Sequence, residues 1–172
     1  ISSSQVTGNT APGGEGGGLL NYGTLTINSA ALSGNTAPDD GVQPGQGFGG
    51  AIANLDFGTP GSGVLKVSQG SLTGNSASEA GGAIFTVGFG STLGSVTLAS
   101  VSVTGNTATQ GGGIASQSAL AITSGSVTRN TATSEGGGIY NEGGTVTLSR
   151  AGVTGNQVDN CYPEGTIAGC TR

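Results

Sequence analysis

Nine carboxylates and no histidine bound the chemistry open to this chain of 172 residues. Without histidine, a Ser-His-Asp triad, a Cys-His dyad and any His-ligated metal site are excluded. Glycoside hydrolysis instead needs two carboxylates roughly 5–10 Å apart. Asp39-Asp40 is the one adjacent acidic pair, and Asp56 follows in the same stretch. Glu15, Glu79 and Glu135 each stand just before a glycine pair, where a solvated turn is expected. All four phenylalanines, Phe48, Phe57, Phe85 and Phe89, fall within 48–89. Aromatics beside carboxylates suit a carbohydrate or protein contact surface, so Phe48, Asp56, Phe57, Phe85 and Phe89 form the candidate binding set. Loops also need apolar groups to pack down on a body, and the same rings could serve that end.

Other chemistries lack residues. Gly45-Gln46-Gly47-Phe48-Gly49-Gly50 matches a G-x-G-x-x-G string, but with 37 glycines in the chain such a match arises by chance, and no helix follows to bind a pyrophosphate. No cofactor or metal is therefore expected. Four basic residues in a chain of net charge −5 cannot neutralise a phosphate backbone, so nucleic acid is not an expected partner. No apolar run approaches the 18 residues of a membrane span. Cys161 and Cys170 are the only cysteines, and so close a pair suits a disulfide in an exported protein. Two free thiols in a cytosolic protein would be the alternative.

The elements that must position these residues repeat along the chain. Val6-Thr7-Gly8-Asn9 recurs as Leu32-Ser33-Gly34-Asn35, Leu72-Thr73-Gly74-Asn75, Val103-Thr104-Gly105-Asn106, Val127-Thr128-Arg129-Asn130 and Val153-Thr154-Gly155-Asn156. The asparagines are 26, 40, 31, 24 and 26 residues apart. A second element follows each of the first five copies, as in Gly49-Gly50-Ala51-Ile52 and Gly81-Gly82-Ala83-Ile84. A third alternates apolar and polar with period two, a strand signal, as in Leu65-Lys66-Val67 and Val96-Thr97-Leu98.

Three short strands in so small a unit cannot bury a core alone. Stacked coils can, by aligning the Val, Leu and Ile columns into one interior. The pattern predicts an all-β solenoid, a right-handed parallel β-helix of about five to six coils with three strands per coil. Residues 1–156 would form the helix and 157–172 a disulfide-closed cap. Asn9, Asn35, Asn75, Asn106, Asn130 and Asn156 are expected at one corner as a buried ladder. Outward positions of the tetrapeptide strands make a row of Ser71/Thr73, Ser102/Thr104 and Ser126/Thr128, broken by Gln5, Ala31 and Gly152. Regular hydroxyl arrays of this kind resemble the faces of ice-binding proteins, though Ser and Thr are also ordinary solvent-face strand residues.

The chain resembles the right-handed β-helix repeat proteins of bacteria, in particular the polymorphic outer-membrane-protein repeats marked by Gly-Gly-Ala-Ile and Phe-x-x-Asn. Gly49-Gly50-Ala51-Ile52 and Gly81-Gly82-Ala83-Ile84 match the first mark, and Val/Leu-x-x-Asn stands where the second has Phe. The resemblance implies a secreted or cell-surface location and a structural or binding role of adhesin type. The wider pectate-lyase-like superfamily shares the architecture. A polysaccharide-active enzyme using Asp39, Asp40 or Asp56 is thus one alternative, and an ice-binding protein using the Ser/Thr row is another.

Departures from the repeat mark candidate contact loops. Asn35 to Ile52 takes 17 residues, Ile52 to Leu65 takes 13 and Ile84 to Val96 takes 12, so loops 38–47, 55–63 and 87–94 are long. In repeat folds insertions gather on one face, often the binding face, for an unidentified protein or carbohydrate. Ile1 stands in the register of Ile27, inside a coil. More coils preceding it, or end-to-end self-association at that coil, are expected.

Overall fold

A computed structural model describes residues 1–42, 45–88 and 94–171. The described residues form stacked coils whose strands pair only in parallel with the equivalent strands of neighbouring coils, making four sheets. The fold is a parallel β-helix.

The first sheet is the tetrapeptide: Gln5–Thr7, Ala31–Ser33, Ser71–Thr73, Ser102–Thr104, Ser126–Thr128 and Gly152–Thr154. The second carries the residues after the glycine pair: Leu19–Asn21, Ile52–Asp56, Ile84–Gly88, Ile114–Ser116, Ile139–Asn141 and Cys161–Tyr162. The third holds Thr24–Asn28, Val64–Ser68, Ser95–Ala99, Ala119–Thr123 and Val146–Ser149. A fourth sheet joins the expected three, made of Thr36–Ala37, Ser76–Ala77, Thr107–Gln110 and Thr131–Glu135. These strands arise because the chain becomes extended again as soon as it leaves the asparagine corner. Ala37, Ala77, Ala108 and Ala132, each two residues past its asparagine, are buried.

Register explains the core. Val6, Leu32, Leu72, Val103, Val127 and Val153 stack as one column. Leu19, Ile52, Ile84, Ile114, Ile139 and Cys161 form another. With the period-two residues of the third sheet they make one cluster running the length of the helix. The second sheet thus continues to Tyr162, past the last tetrapeptide. Cys161 ends the isoleucine column, bonds to Cys170, and Ile167 is buried against the same cluster.

Two sequence features follow from close backbone geometry. The third tetrapeptide residue turns the corner with φ of 63 at Gly74 and 67 at Gly105, a left-handed conformation that glycine adopts without strain; Arg129 holds it at 56. At the glycine pair the reason is space. A Cβ on Gly82 would overlap the carbonyl oxygens of Gly112 and Thr107.

The asparagines lock the coils together. Asn9, Asn35, Asn75, Asn106 and Asn130 each donate a side-chain amide to the Oδ1 of the next, at 2.9 Å in every step, ending on Asn156. Asn35, Asn75, Asn106 and Asn130 are buried. Asn9 at one end is exposed, because no described coil lies beyond it, and Asn156 is half-buried. The ladder gains a further rung in Asn160, whose Oδ1 accepts from the Asn156 amide at 3.0 Å. A second polar column lines the far end of the second sheet, where Asn21 donates to Asn54 at 2.7 Å and Asn54 to Thr86 at 3.2 Å.

Candidate functional site

On a solvated sheet the side chains opposite the core are polar. The outer face of the second sheet breaks that rule. Its outward column reads Leu20, Ala53, Phe85, Ala115, Tyr140 and Tyr162, one residue per coil in register. The insertions lengthen two of its strands, adding Leu55 opposite Val87. As a result all five residues of Ile52–Asp56 are buried, and Ala53, Leu55, Ala80, Phe85, Val87 and Ala115 form a second apolar cluster outside the helix.

This cluster floors a groove of about 490 Å³. Phe48 packs on Phe85 with ring centroids 4.6 Å apart, and Tyr140 stacks on Tyr162 at 5.6 Å. Phe57 also lines the groove and meets Tyr22 at 5.3 Å, with both rings about half exposed. One side wall is the corner before the glycine pairs, where Glu15, Phe48, Ala80 and Gln110 bridge coil to coil. Glu79 lines the same wall, and Gln117 and Glu142 line the other side.

The electrostatics are one-sided. Glu15, Glu79 and Glu142 line the groove, and among the described residues no Lys or Arg does. Gln117 donates to Glu142 at 2.7 Å and Gln110 to Glu135 at 3.3 Å, so these carboxylates have amide partners. Burial raises the Glu15 carboxyl above its ordinary range. Burial, then the charges of Glu142 and Glu135, raise the Tyr140 phenol, and Glu135 raises that of Tyr162.

Of the candidate residues, the structure brings Phe48, Phe57 and Phe85 together in this groove. Phe89 lies outside the described residues. Asp56 does not join them. It is 1% exposed, and its Oδ1 accepts from the Gly58 amide at 2.8 Å and from the Ser62 hydroxyl, tying off its own loop. Asp39 and Asp40 each accept from a backbone amide two residues on, Gly41 and Val42, at 2.8 Å, and so hold an exposed turn. Among the described residues, no three of Asp, Glu or Cys gather to hold a metal ion. The Ser/Thr row is present in register on the first sheet, where Thr128 donates to Thr104 at 3.5 Å.

Residues 70–87 and 124–142 match the family model of the Chlamydia polymorphic membrane protein repeat. Two stretches of the chain are thus similar to that repeat. That repeat is of a bacterial surface and outer-membrane type, and no helix of the described residues is long and apolar enough to cross a membrane. No curated protein and no solved structure matches the chain. The two matched repeats contribute Phe85 and Tyr140, which stand on either side of Ala115 in the groove floor.

The sequence candidates do not include Tyr140, Tyr162 or Glu142, and Glu15 and Glu79 read there as turn residues. A signal for the tyrosines was available. The residue after the inward isoleucine must face outward in a strand, so reading that single position coil by coil gives the whole column.

Proposed function

We propose that this chain is a ligand-binding segment of an exported bacterial surface protein of adhesin type, and that it contacts its ligand through the groove on the second sheet. One observation carries the reading: a face that strand periodicity would leave polar instead gathers Phe48, Phe57, Phe85 and Tyr140 around an open groove. Exposed apolar surface of that kind marks contact sites on soluble faces. The β-helix supplies a rigid support, since each coil is held by backbone pairing, apolar columns and the asparagine ladder. The Cys161–Cys170 disulfide, at the end of the isoleucine column, fits an oxidising location.

The test is binding of the labelled chain to cell surfaces by flow cytometry. Phe57→Ser should abolish retention without changing the melting curve. Thr104→Glu, on the Ser/Thr row, should leave retention intact. Loss of retention with Thr104→Glu but not with Phe57→Ser would overturn the assignment. Release of reducing or unsaturated sugar from polysaccharides would instead favour an enzyme.

A further inference from the structure

We propose, resting on the groove reading above, that the groove takes lysine or arginine side chains from a basic segment of a partner protein. Three features of the site converge on a cation.

The first is the aromatic lining. Phe85 and Tyr140 stand two strand spacings apart, about 9.6 Å, with only the methyl of Ala115 between them. One group of the partner can enter between the rings. Aromatic faces attract ammonium and guanidinium groups through their negative quadrupole.

The second is charge. Glu15, Glu79 and Glu142 line the walls, and Glu135 adjoins Gln110 at their edge. The cations of the described chain lie elsewhere. Lys66 sits on the third sheet, Arg129 at a tetrapeptide turn, and Arg150 at the corner after the third sheet. Glu135 and Glu142 pair with neutral groups, the Gln110 and Gln117 amides and, at Glu135, the Tyr162 phenol, which leave the negative charge uncompensated. Glu135 raises the Tyr162 phenol, and at Tyr140 Glu142 and Glu135 add to a rise that comes first from burial. A sulfated or uronic glycan would be repelled here. A neutral glycan would stack on the rings and donate hydroxyls to the carboxylates, but would leave their charge unneutralised.

The third is shape. The outward column crosses six coils from Leu20 to Tyr162, five spacings or about 24 Å, the span of roughly seven extended residues. An extended basic peptide can therefore lie along the helix axis, its backbone over the groove and its cations between rings and carboxylates.

The test uses the full chain and three probes: an extended peptide with lysine at every second position, its glutamate counterpart, and a neutral β-linked hexasaccharide. Calorimetry at low and physiological salt is the readout. The lysine peptide should bind and weaken as salt rises, and the glutamate peptide should not bind. Glu142→Gln, isosteric and on the groove wall, should weaken the lysine peptide about 3- to 30-fold, as should Tyr140→Ala. Arg129→Gly, at a distant turn, should leave affinity unchanged. Melting curves confirm that each variant is folded. Binding of the hexasaccharide but not the lysine peptide would overturn this proposal and leave the groove reading standing. Binding of the lysine peptide with no effect of Glu142→Gln and Tyr140→Ala would overturn it by placing the cation elsewhere. If all three probes fail and Phe57→Ser also leaves cell retention unchanged, both fail together.

Discussion

The side-chain amide of Asn106 donates to Asn130 Oδ1 at 2.9 Å and to the Leu72 carbonyl at 3.0 Å, joining three successive coils through one residue. Its own Oδ1 accepts from the Asn75 backbone and side-chain amides at 2.8 and 2.9 Å. The residue is fully buried, so removing the amide strands partners on both neighbours. Asn106→Ala should cost about 1–3 kcal/mol, because each buried group left unpaired loses its solvation without replacement. Asn9→Ala, at the exposed end, should cost a fraction of that. Urea melts of the two variants make the comparison, and equal midpoints would count against the ladder.

Two glycine substitutions separate space from backbone strain. Gly82→Ala must push apart the Gly112 and Thr107 carbonyls on the adjacent coil, and should prevent native folding. Gly74→Ala meets no atom within 4 Å and pays only for its left-handed φ, about 1 kcal/mol. Conversely, Arg129→Gly should stabilise by a similar amount, since it relieves a non-glycine residue at the same corner. Circular dichroism melts that rank Gly74→Ala below Gly82→Ala would contradict this order.

The Cys161–Cys170 bond closes a loop with a sequence separation of 9 and ends the isoleucine column. Restricting so short a loop in the unfolded chain stabilises by about 2–3 kcal/mol. Reduction, or a double serine replacement, should lower the denaturation midpoint accordingly. Two titratable thiols in the native, unreduced protein would show that the bond is absent.

Much of this was legible in the sequence, for a physical reason. A stacked coil repeats its demands at each level, so the inward columns, the Gly turn and the asparagine corner recur as visible motifs. The repeat pattern misses the fourth sheet, where Thr36–Ala37 and Ser76–Ala77 are too short to alternate, and Cys161–Tyr162, which carries the second sheet past the last tetrapeptide. The groove was half legible. Phe48, Phe57 and Phe85 announced themselves by type, whereas Tyr140 and Glu15 belong to ordinary-length coils and gain meaning only from their neighbours one coil away. Asp56 was misplaced because a loop carboxylate reads as exposed until its own loop is seen to fold over it.

Glu15 gives a pH signature. Burial raises its carboxyl above the ordinary value of 4.5, so the folded chain holds that proton more tightly than the unfolded chain does. Its stabilising contribution is complete below the ordinary value and is lost as pH rises through the raised one. Glu15→Gln should remove this slope and be the more stable form at neutral pH, with the advantage vanishing in acid. Urea melts across that window decide it, and parallel pH profiles for the two proteins would refute the assignment.

Hydroxyl-radical footprinting of the chain, free and bound to cells, tests the central claim most directly, because aromatic side chains are strongly labelled and the groove is lined with them. Binding should protect Phe57 and Tyr140, which line the groove, and their ring partners Tyr22 and Tyr162. Val42 and Val158, which are 77% and 60% exposed and lie outside the groove lining, should label equally in both states. Protection of Val42 or Val158 with the four rings unchanged would place the contact surface elsewhere and contradict the account.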